Sequence, residues 1–179
     1  MTAYPGGRTI ALVGLMGAGK STVGRRLAQQ LRMPFRDADA EIEAAAGCTV
    51  SEIFRDLGEK AFRDGERRVI ARLLEEPPHV LATGGGAFID DETRALINAR
   101  AVSVWLKADL EILARRVARR DTRPLLAGKE PLDVLRAQAE ARYPTYGEAH
   151  ITIETGESAH QSAVDAIIAA LKLRTVAAP

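Results

Sequence analysis

Short apolar runs alternate along the chain with longer stretches in which apolar residues recur every three or four positions. The short runs predict five strands, at residues 9–13, 33–36, 80–83, 102–106 and 151–153. The longer stretches predict helices, at residues 20–31, 58–74, 110–120, 132–143 and 159–173. Because parallel strands need a crossover connection and a helix provides it, this alternation predicts a three-layer α/β/α fold with a parallel sheet.

Glycine and proline clusters mark the loops of this pattern, at Pro77-Pro78, at Gly84-Gly85-Gly86 and within residues 122–131. The segment 38–74 is longer than a single crossover helix requires, so we expect it to hold extra helices that project beyond the sheet. Such helices are a usual place for a substrate pocket. With 179 residues and no internal repeat, the chain (1–179) is predicted to form one domain.

Composition excludes several classes of protein. The 25 basic and 24 acidic residues leave a net charge of +1, which argues against a general nucleic-acid binder. No apolar run approaches the roughly 18 residues of a membrane span, and the amino end carries no signal-peptide pattern, so we expect a cytoplasmic protein without a membrane partner. The basic residues comprise 20 Arg and 5 Lys. This bias is either compositional or suited to bidentate recognition of carboxylate or phosphate.

A nucleotide-binding motif follows the first predicted strand. Residues 14–21 read GLMGAGKS, which fits G-x-x-x-x-G-K-[ST], and a predicted helix follows them. Glycines let backbone N–H groups turn towards phosphate oxygens, and the helix amino end adds partial positive charge. In this motif Lys20 neutralises the β and γ phosphates and Ser21 offers its hydroxyl to Mg²⁺. The motif predicts binding of ATP or GTP with Mg²⁺.

The rest of the chain favours a small-molecule kinase over other nucleotide-binding proteins. No Asn-Lys-x-Asp motif is present, which disfavours a GTPase switch, and the strand at 80–83 runs into three glycines rather than the Asp expected of a motor ATPase. Asp37 and Asp39 follow the second predicted strand, at the sheet edge where α/β proteins bind ligands. Either aspartate could instead cap the next helix.

Three arginines are candidate ligands for an anion. Arg63 has Glu59 four residues before it and Glu66 three residues after it, which is compatible with a surface salt bridge or with a pocket wall beside Phe62. Arg123 opens a glycine-containing loop and Arg142 lies near the end of a predicted helix. Both could instead complement a helix carboxyl end or solvate a loop.

Taken together, these residues resemble the shikimate kinases from residue 10 to about residue 171. The resemblance rests on motifs in the family's order and spacing, namely residues 14–21, Asp37-Ala38-Asp39 with Ile42-Glu43, Gly58-Glu59 with Phe62-Arg63 and Glu66, Gly84-Gly85-Gly86, Arg123-Pro124-Leu125-Leu126, and Arg142 with Tyr146. It implies a P-loop kinase fold with sheet order 2-3-1-4-5. It also implies transfer of a phosphoryl group from ATP to the 3-hydroxyl of shikimate, giving shikimate 3-phosphate and ADP in aromatic amino-acid biosynthesis.

The resemblance also implies roles for the residues around shikimate, which form what we call the acid side of the site. Asp39 contacts the 3-hydroxyl of shikimate, and Arg63 and Arg142 bind its carboxylate. The other implied contacts are the Gly85 and Gly86 backbone, Glu66 as the residue that orients Arg63, and Phe54 and Phe62 as the ring-lining residues.

On the nucleotide side, the implied contacts come from the P-loop and a mobile lid. The P-loop contacts are Gly17, Ala18, Gly19, Lys20, Ser21 and Thr22. Arg123, on a lid at about residues 121–131, reaches the transferred phosphate, and Arg119 lies near adenine. Asp37 joins Ser21 in the Mg²⁺ environment.

Two alternatives remain open. One is a kinase of another small hydroxy acid, such as gluconate. A non-catalytic nucleotide-binding regulatory module would not need Lys20, Asp39 or Arg123. We expect a monomer that binds ATP and shikimate and that has no nucleic-acid partner.

Overall fold

The computed structural model describes residues 6–119, 128–158 and 160–177. Its sheet contains five strands: β1 (Thr9–Val13), β2 (Phe35–Asp37), β3 (Val80–Ala82), β4 (Ala101–Ala108) and β5 (Ile151–Thr155). Their order is β2-β3-β1-β4-β5, and every neighbouring pair is parallel. The predicted fold class and strand order are confirmed.

Helices connect and cover these strands. They are α1 (Lys20–Leu31), α2 (Ala38–Ala46), α3 (Val50–Leu73), α4 (Asp91–Arg100), α5 (Leu110–Ala118), α6 (Pro131–Tyr146) and α7 (His160–Ala177), and a short 3-10 helix spans Ala87–Ile89. All five residues of the central strand β1 are buried, which explains why it is apolar from Ile10 to Val13. No helix in the described ranges is both long enough and apolar enough to span a bilayer.

Strand β2 begins two residues later than predicted because the preceding residues complete the end of α1. Arg32 adopts a left-handed conformation with φ 55°, and its N–H bonds to the carbonyls of Ala28 and Gln29. The N–H of Met33 also donates to the Ala28 carbonyl at 2.9 Å. These residues are therefore a helix cap rather than the start of a strand.

Segment 38–74 contains two helices, as its length suggested, but the second begins earlier than predicted. Thr49 and Glu52 form a capping box that starts α3 at Val50. The predicted start, Gly58, is instead a kink inside the helix with φ 82° and ψ 172°. Because this φ favours glycine, the sequence signal at Gly58 marks a bend rather than a boundary.

Helix α4 is absent from the sequence-based prediction. Of its ten residues only Thr93 and Ile97 are buried, so its apolar spacing is too sparse to reveal a helix. Its start is fixed by Asp90, whose Oδ2 accepts bonds from the Thr93 N–H at 2.9 Å and the Thr93 hydroxyl at 2.8 Å. Arg67 of α3 donates to Asp90 Oδ1 at 2.6 Å. This cap ties α3 to α4 immediately after the 3-10 helix.

Replacing Asp90 with Ala should lower the free energy of unfolding by about 1 to 2 kcal/mol at neutral pH, because the helix loses its N-cap. The hydrogen bonds from Arg67 and Thr93 lower the pKa of Asp90 to about 2. A carboxyl whose pKa is lower in the folded state stabilises the protein above its unfolded-state pKa, and this stabilisation is lost as the pH falls. Urea unfolding should therefore show that the difference in unfolding free energy between wild type and variant becomes smaller below about pH 4.

The matched control is Asp91→Ala, since the Asp91 side chain is 91% exposed although it pairs with Arg94 at 2.7 Å. We expect it to change stability by less than about 0.5 kcal/mol. Equal losses from the two substitutions, or a loss at Asp90 that does not depend on pH, would contradict this account of the cap.

Candidate active site

The P-loop, residues 14–21, leaves β1 and enters α1 through backbone conformations that require glycine. Gly14 has φ 142°, and a Cβ atom there would lie 2.7 Å from the carbonyl oxygen of Leu106 in β4. Gly19 has φ 89° and forms the N-cap of α1. Close packing against β4 thus brings the loop and the amino end of α1 to the carboxyl edge of the sheet, where helix N–H groups favour an anion.

Lys20 is held at the base of this loop. Its side chain folds back so that Nζ donates to the carbonyl oxygens of Gly14 and Leu15, both at 2.8 Å. The residue is 8% exposed, and it also lines the cleft described below. The positive charge is therefore fixed beside the space that the loop surrounds.

Ser21 and Asp37 join the P-loop to the second strand. The Ser21 hydroxyl donates to Asp37 Oδ2 at 2.5 Å. The other carboxylate oxygen, Oδ1, accepts from the N–H groups of Asp39 and Ala40 and caps α2. The helix cap foreseen as an alternative is therefore Asp37, which also faces Ser21.

These two oxygen donors fit Mg²⁺, which prefers oxygen ligands and commonly takes one or two from the protein and the others from phosphates and water. Within the described ranges, no group of three or more His, Cys, Asp or Glu side chains could hold a metal ion by itself. Ser21 and Asp37 together offer the one or two protein oxygens that Mg²⁺ commonly takes.

A cleft of about 320 Å³ opens along the carboxyl ends of the strands. It is lined by Gly17, Gly19, Lys20, Ser21, Thr22, Asp37, Asp39, Thr83, Gly84, Gly85, Arg116, Arg119 and His160. Asp39, in the first turn of α2, lies next to Gly84, where an added Cβ atom would be 3.0 Å from Asp39 Oδ1. The absence of a side chain at Gly84 leaves room for this carboxylate beside the P-loop.

Arg63 lies against the glycine segment rather than on the open surface. Its Nη1 donates to Glu66 Oε1 at 2.9 Å, and its Nη2 is 3.6 Å from Glu59 Oε1. A Cβ atom on Gly86 would lie 2.6 Å from both terminal nitrogens of Arg63. Since the Arg63 side chain is only 24% exposed, Arg63 forms part of a pocket wall rather than a solvated salt bridge.

Arg142 and Tyr146 of α6 hold the same segment from the other side. Arg142 Nη1 donates to the Gly85 carbonyl at 3.2 Å, and the buried Tyr146 hydroxyl donates to the same oxygen. Burial raises the pKa of Tyr146 to about 12, so its phenol remains a donor at neutral pH. Two guanidinium groups thus approach consecutive glycines, Gly85 and Gly86.

Two aromatic rings complete the acid side. Phe54 and Phe62, which α3 carries on either side of the kink at Gly58, have ring centroids 4.7 Å apart. The Arg63 guanidinium carbon lies 5.2 Å from the centroid of the Phe62 ring. The kinked helix therefore brings an apolar wall and a cation together.

Sequence reasoning missed three residues of the cleft, Thr83, Arg116 and His160. Arg116 Nη1 donates to the Gly17 carbonyl at 3.2 Å, and a Cβ atom on Gly19 would lie 3.2 Å from the His160 ring. Burial lowers the pKa of His160, and the positive charge of Arg116 lowers it further. Arg116 and His160 are far from the P-loop in sequence and carry no motif.

Arg119 does line the cleft, where the resemblance placed it near the nucleotide. Arg123, which the resemblance places on the lid near the transferred phosphate, lies outside the described residues, as does most of segment 121–131.

Comparison with known proteins gives the same family for most of the chain. Residues 16–172 match the family model described as shikimate kinase. The chain is 70% identical over 165 residues to the shikimate kinase of Caulobacter vibrioides, an alignment that covers 92% of this chain and 82% of that protein. It is 57% identical over 158 residues to the shikimate kinase of Paramagnetospirillum magneticum, with 88% and 81% covered.

Solved structures agree with this match. The shikimate kinase of Acinetobacter baumannii, in complex with shikimate, superposes with a TM-score of 0.92 at 39% identity, covering 96% of this chain and 97% of that one. A gluconokinase from Sinorhizobium meliloti has a TM-score of 0.55 at 21% identity, with 96% and 94% covered. That second likeness shows a common fold alone.

Proposed function

The chain belongs to the shikimate kinase family, and we propose that its cleft transfers the γ-phosphate of ATP to the 3-hydroxyl of shikimate, giving shikimate 3-phosphate and ADP. The observation that carries this proposal is the approach of Arg63 and Arg142 to Gly86 and Gly85, next to the P-loop cleft. Forked guanidinium donors suit a carboxylate. Their position beside a phosphate site suits an acid that is also a phosphoryl acceptor.

The nucleotide end of the cleft binds the phosphates and balances their charge. Phosphoryl transfer has a loose transition state that spreads negative charge over the equatorial oxygens, so positioning and charge neutralisation account for most of the catalysis. The backbone of Gly17, Ala18 and Gly19 cradles the phosphates, with Thr22 at the start of α1. Lys20 adds a fixed positive charge. Ser21 and Asp37 would hold Mg²⁺, which would neutralise phosphate charge when bound.

The acid side of the site aligns the acceptor, shikimate. Arg63 and Arg142 hold the carboxylate of shikimate, the Gly85 and Gly86 backbone lies along the acid, and Phe54 and Phe62 line its ring. Asp39 orients the 3-hydroxyl towards the phosphate and takes its proton late in the transfer, as a loose transition state requires. The contribution of Arg123 to charge balance stays a prediction.

Replacing Asp39 with Asn should reduce turnover by more than about tenfold, because the acceptor loses its aligning carboxylate. Folding should change little, since the cap of α2 is Asp37. Steady-state ADP formation and thermal unfolding measure the two effects. Glu41→Gln, in the same first turn of α2, is the matched control and should keep wild-type turnover, because Glu41 pairs with Arg72 at 3.2 Å. Full turnover in the Asp39 variant would reduce Asp39 to a structural residue.

A panel of acceptors tests the proposed substrate. Purified protein with Mg²⁺ and ATP should form ADP rapidly with shikimate and slowly with gluconate or with no acceptor. Faster ADP formation with gluconate would favour the alternative kinase. Nucleotide binding without ADP formation from any acid would favour a non-catalytic module.

We further propose that one chain in the cytoplasm is the active unit. The residues proposed for ATP, Mg²⁺ and shikimate lie around one cleft, so the proposed site needs no residue from a second copy, and ATP is available in that compartment. Light scattering on the active fraction should give a mass near 19.3 kDa, and a dimer mass there would contradict a monomer.

A further inference from the structure

Glu66 is a buried carboxylate with only one of its oxygens engaged by protein. Its side chain is 3% exposed. Oε1 accepts the bond from Arg63, whereas Oε2 has no hydrogen-bond partner among the residues that the structure describes. A buried carboxylate that is half satisfied is costly to keep ionised, so its charge depends strongly on its neighbours.

The neighbours of Glu66 come from three elements. Arg63 on α3 is the positive one, while Asp39 on α2 and Asp90 at the start of α4 are negative. A Cβ atom on Gly84 would lie 2.9 Å from Glu66 Oε2 and 3.0 Å from Asp39 Oδ1, so these two oxygens are less than about 6 Å apart. Burial raises the pKa of Glu66, Arg63 opposes this, and Asp39 and Asp90 raise it further.

We propose that Glu66 takes up a proton from solvent when shikimate binds, so that the affinity for shikimate weakens as the pH rises through the titration of this carboxyl. The inference rests on the proposed function, in which the carboxylate of shikimate binds Arg63. That carboxylate shares the guanidinium donors and adds a negative charge beside Glu66. The attraction that keeps Glu66 ionised is then weaker, and the proton binds to one of its carboxylate oxygens.

The direction of the pH effect follows from linkage. A group that binds a proton more tightly in the complex than in the free protein makes ligand binding stronger at lower pH. The change begins above the ordinary glutamate pKa of about 4.3, because the pKa of Glu66 is already raised in the free protein. The carboxyl of shikimate, with an ordinary pKa near 4, is ionised over this range.

Calorimetric titration of the full chain with shikimate, in buffers of different ionisation enthalpy between about pH 5 and pH 8, measures the proton uptake directly. Wild type should take up a fraction of a proton and lose affinity as the pH rises. Glu66→Gln should show no uptake from this site and should bind shikimate at pH 8 at least as tightly as wild type. Glutamine is neutral, as the protonated carboxyl is, and its amide oxygen still accepts from Arg63.

The matched control is Glu59→Gln, which removes the exposed carboxylate on the other side of Arg63, at 3.6 Å from Nη2. It should keep the wild-type proton uptake. If the Glu66 variant does not fold, the carboxyl ¹³C shift of Glu66 in wild type, with and without shikimate, gives the same information.

Three results would overturn the inference. Wild type could show no proton uptake on binding shikimate, or wild type and the Glu66 variant could show equal uptake. The Glu66 variant could also bind shikimate weakly at every pH, which would make Glu66 a structural support for Arg63 only. Wild-type protein that phosphorylates shikimate but takes up no proton when shikimate binds would contradict this inference alone. Protein that neither binds nor phosphorylates shikimate would contradict the proposed function as well.

Discussion

Replacing Lys20 with Met should reduce phosphoryl transfer by at least about a hundredfold, the usual loss when a fixed charge that stabilises a transition state is removed. Methionine keeps the length and apolar stem of the side chain but not the charge. The hydrogen bonds from Nζ to the Gly14 and Leu15 carbonyls are lost as well. The effect should fall mainly on kcat, because the charge on the transferring phosphate develops in the transition state.

Lys60→Met is the matched control for this substitution. The Lys60 side chain is 91% exposed and pairs with Asp64 at 2.8 Å, and Lys60 does not line the cleft. Steady-state rates of both variants, compared at saturating ATP and shikimate, separate loss of catalysis from a general effect of methionine. A normal rate for the Lys20 variant would contradict the P-loop assignment.

Replacing Arg63 with Lys should weaken shikimate binding by about thirtyfold or more, which corresponds to roughly 2 kcal/mol for a hydrogen bond between charged groups. An ammonium carries the same charge but cannot present two parallel donors to a carboxylate. It also cannot reach Glu66 and the Gly86 face together, as the guanidinium does. ATP affinity should stay within about twofold of wild type, because Arg63 belongs to the acid side of the site.

Arg68→Lys controls for the same change on the same helix, since Arg68 is exposed. Direct titration with shikimate and, separately, with ATP measures the two affinities. Unchanged shikimate affinity in the Arg63 variant would remove Arg63 from the carboxylate site, and equal losses for both ligands would indicate damage to the fold.

The order of the elements was predictable because β1, β3 and β4 are buried, mainly apolar runs and the helices between the strands carry apolar residues at helical spacing. The residues at which these elements begin and end were less predictable. The apolar character of Met33 favours a strand, yet its N–H completes the α1 cap. Helix α4 buries too few residues to show a period. Local hydrogen bonds set these limits, and apolar spacing does not record them.

The P-loop was also predictable, because its function needs a fixed local order of glycines, Lys20 and Ser21. Arg63 was ambiguous from the sequence. Its neighbours Glu59 and Glu66 fit an exposed ion pair equally well, and only the contact with Gly86, 23 residues later, decides its environment. Arg116 and His160 reach the P-loop through the sheet order, since α5 and α7 follow β4 and β5 on the same side of β1.

Phosphorus NMR of the reaction products tests the central claim most directly. With Mg²⁺, ATP and shikimate, a proton–phosphorus correlation should show one new phosphate ester on the 3-hydroxyl of shikimate, formed together with an equal amount of ADP. Release of inorganic phosphate without such an ester, or a phosphate on another hydroxyl or another acid, would contradict the assignment of this cleft.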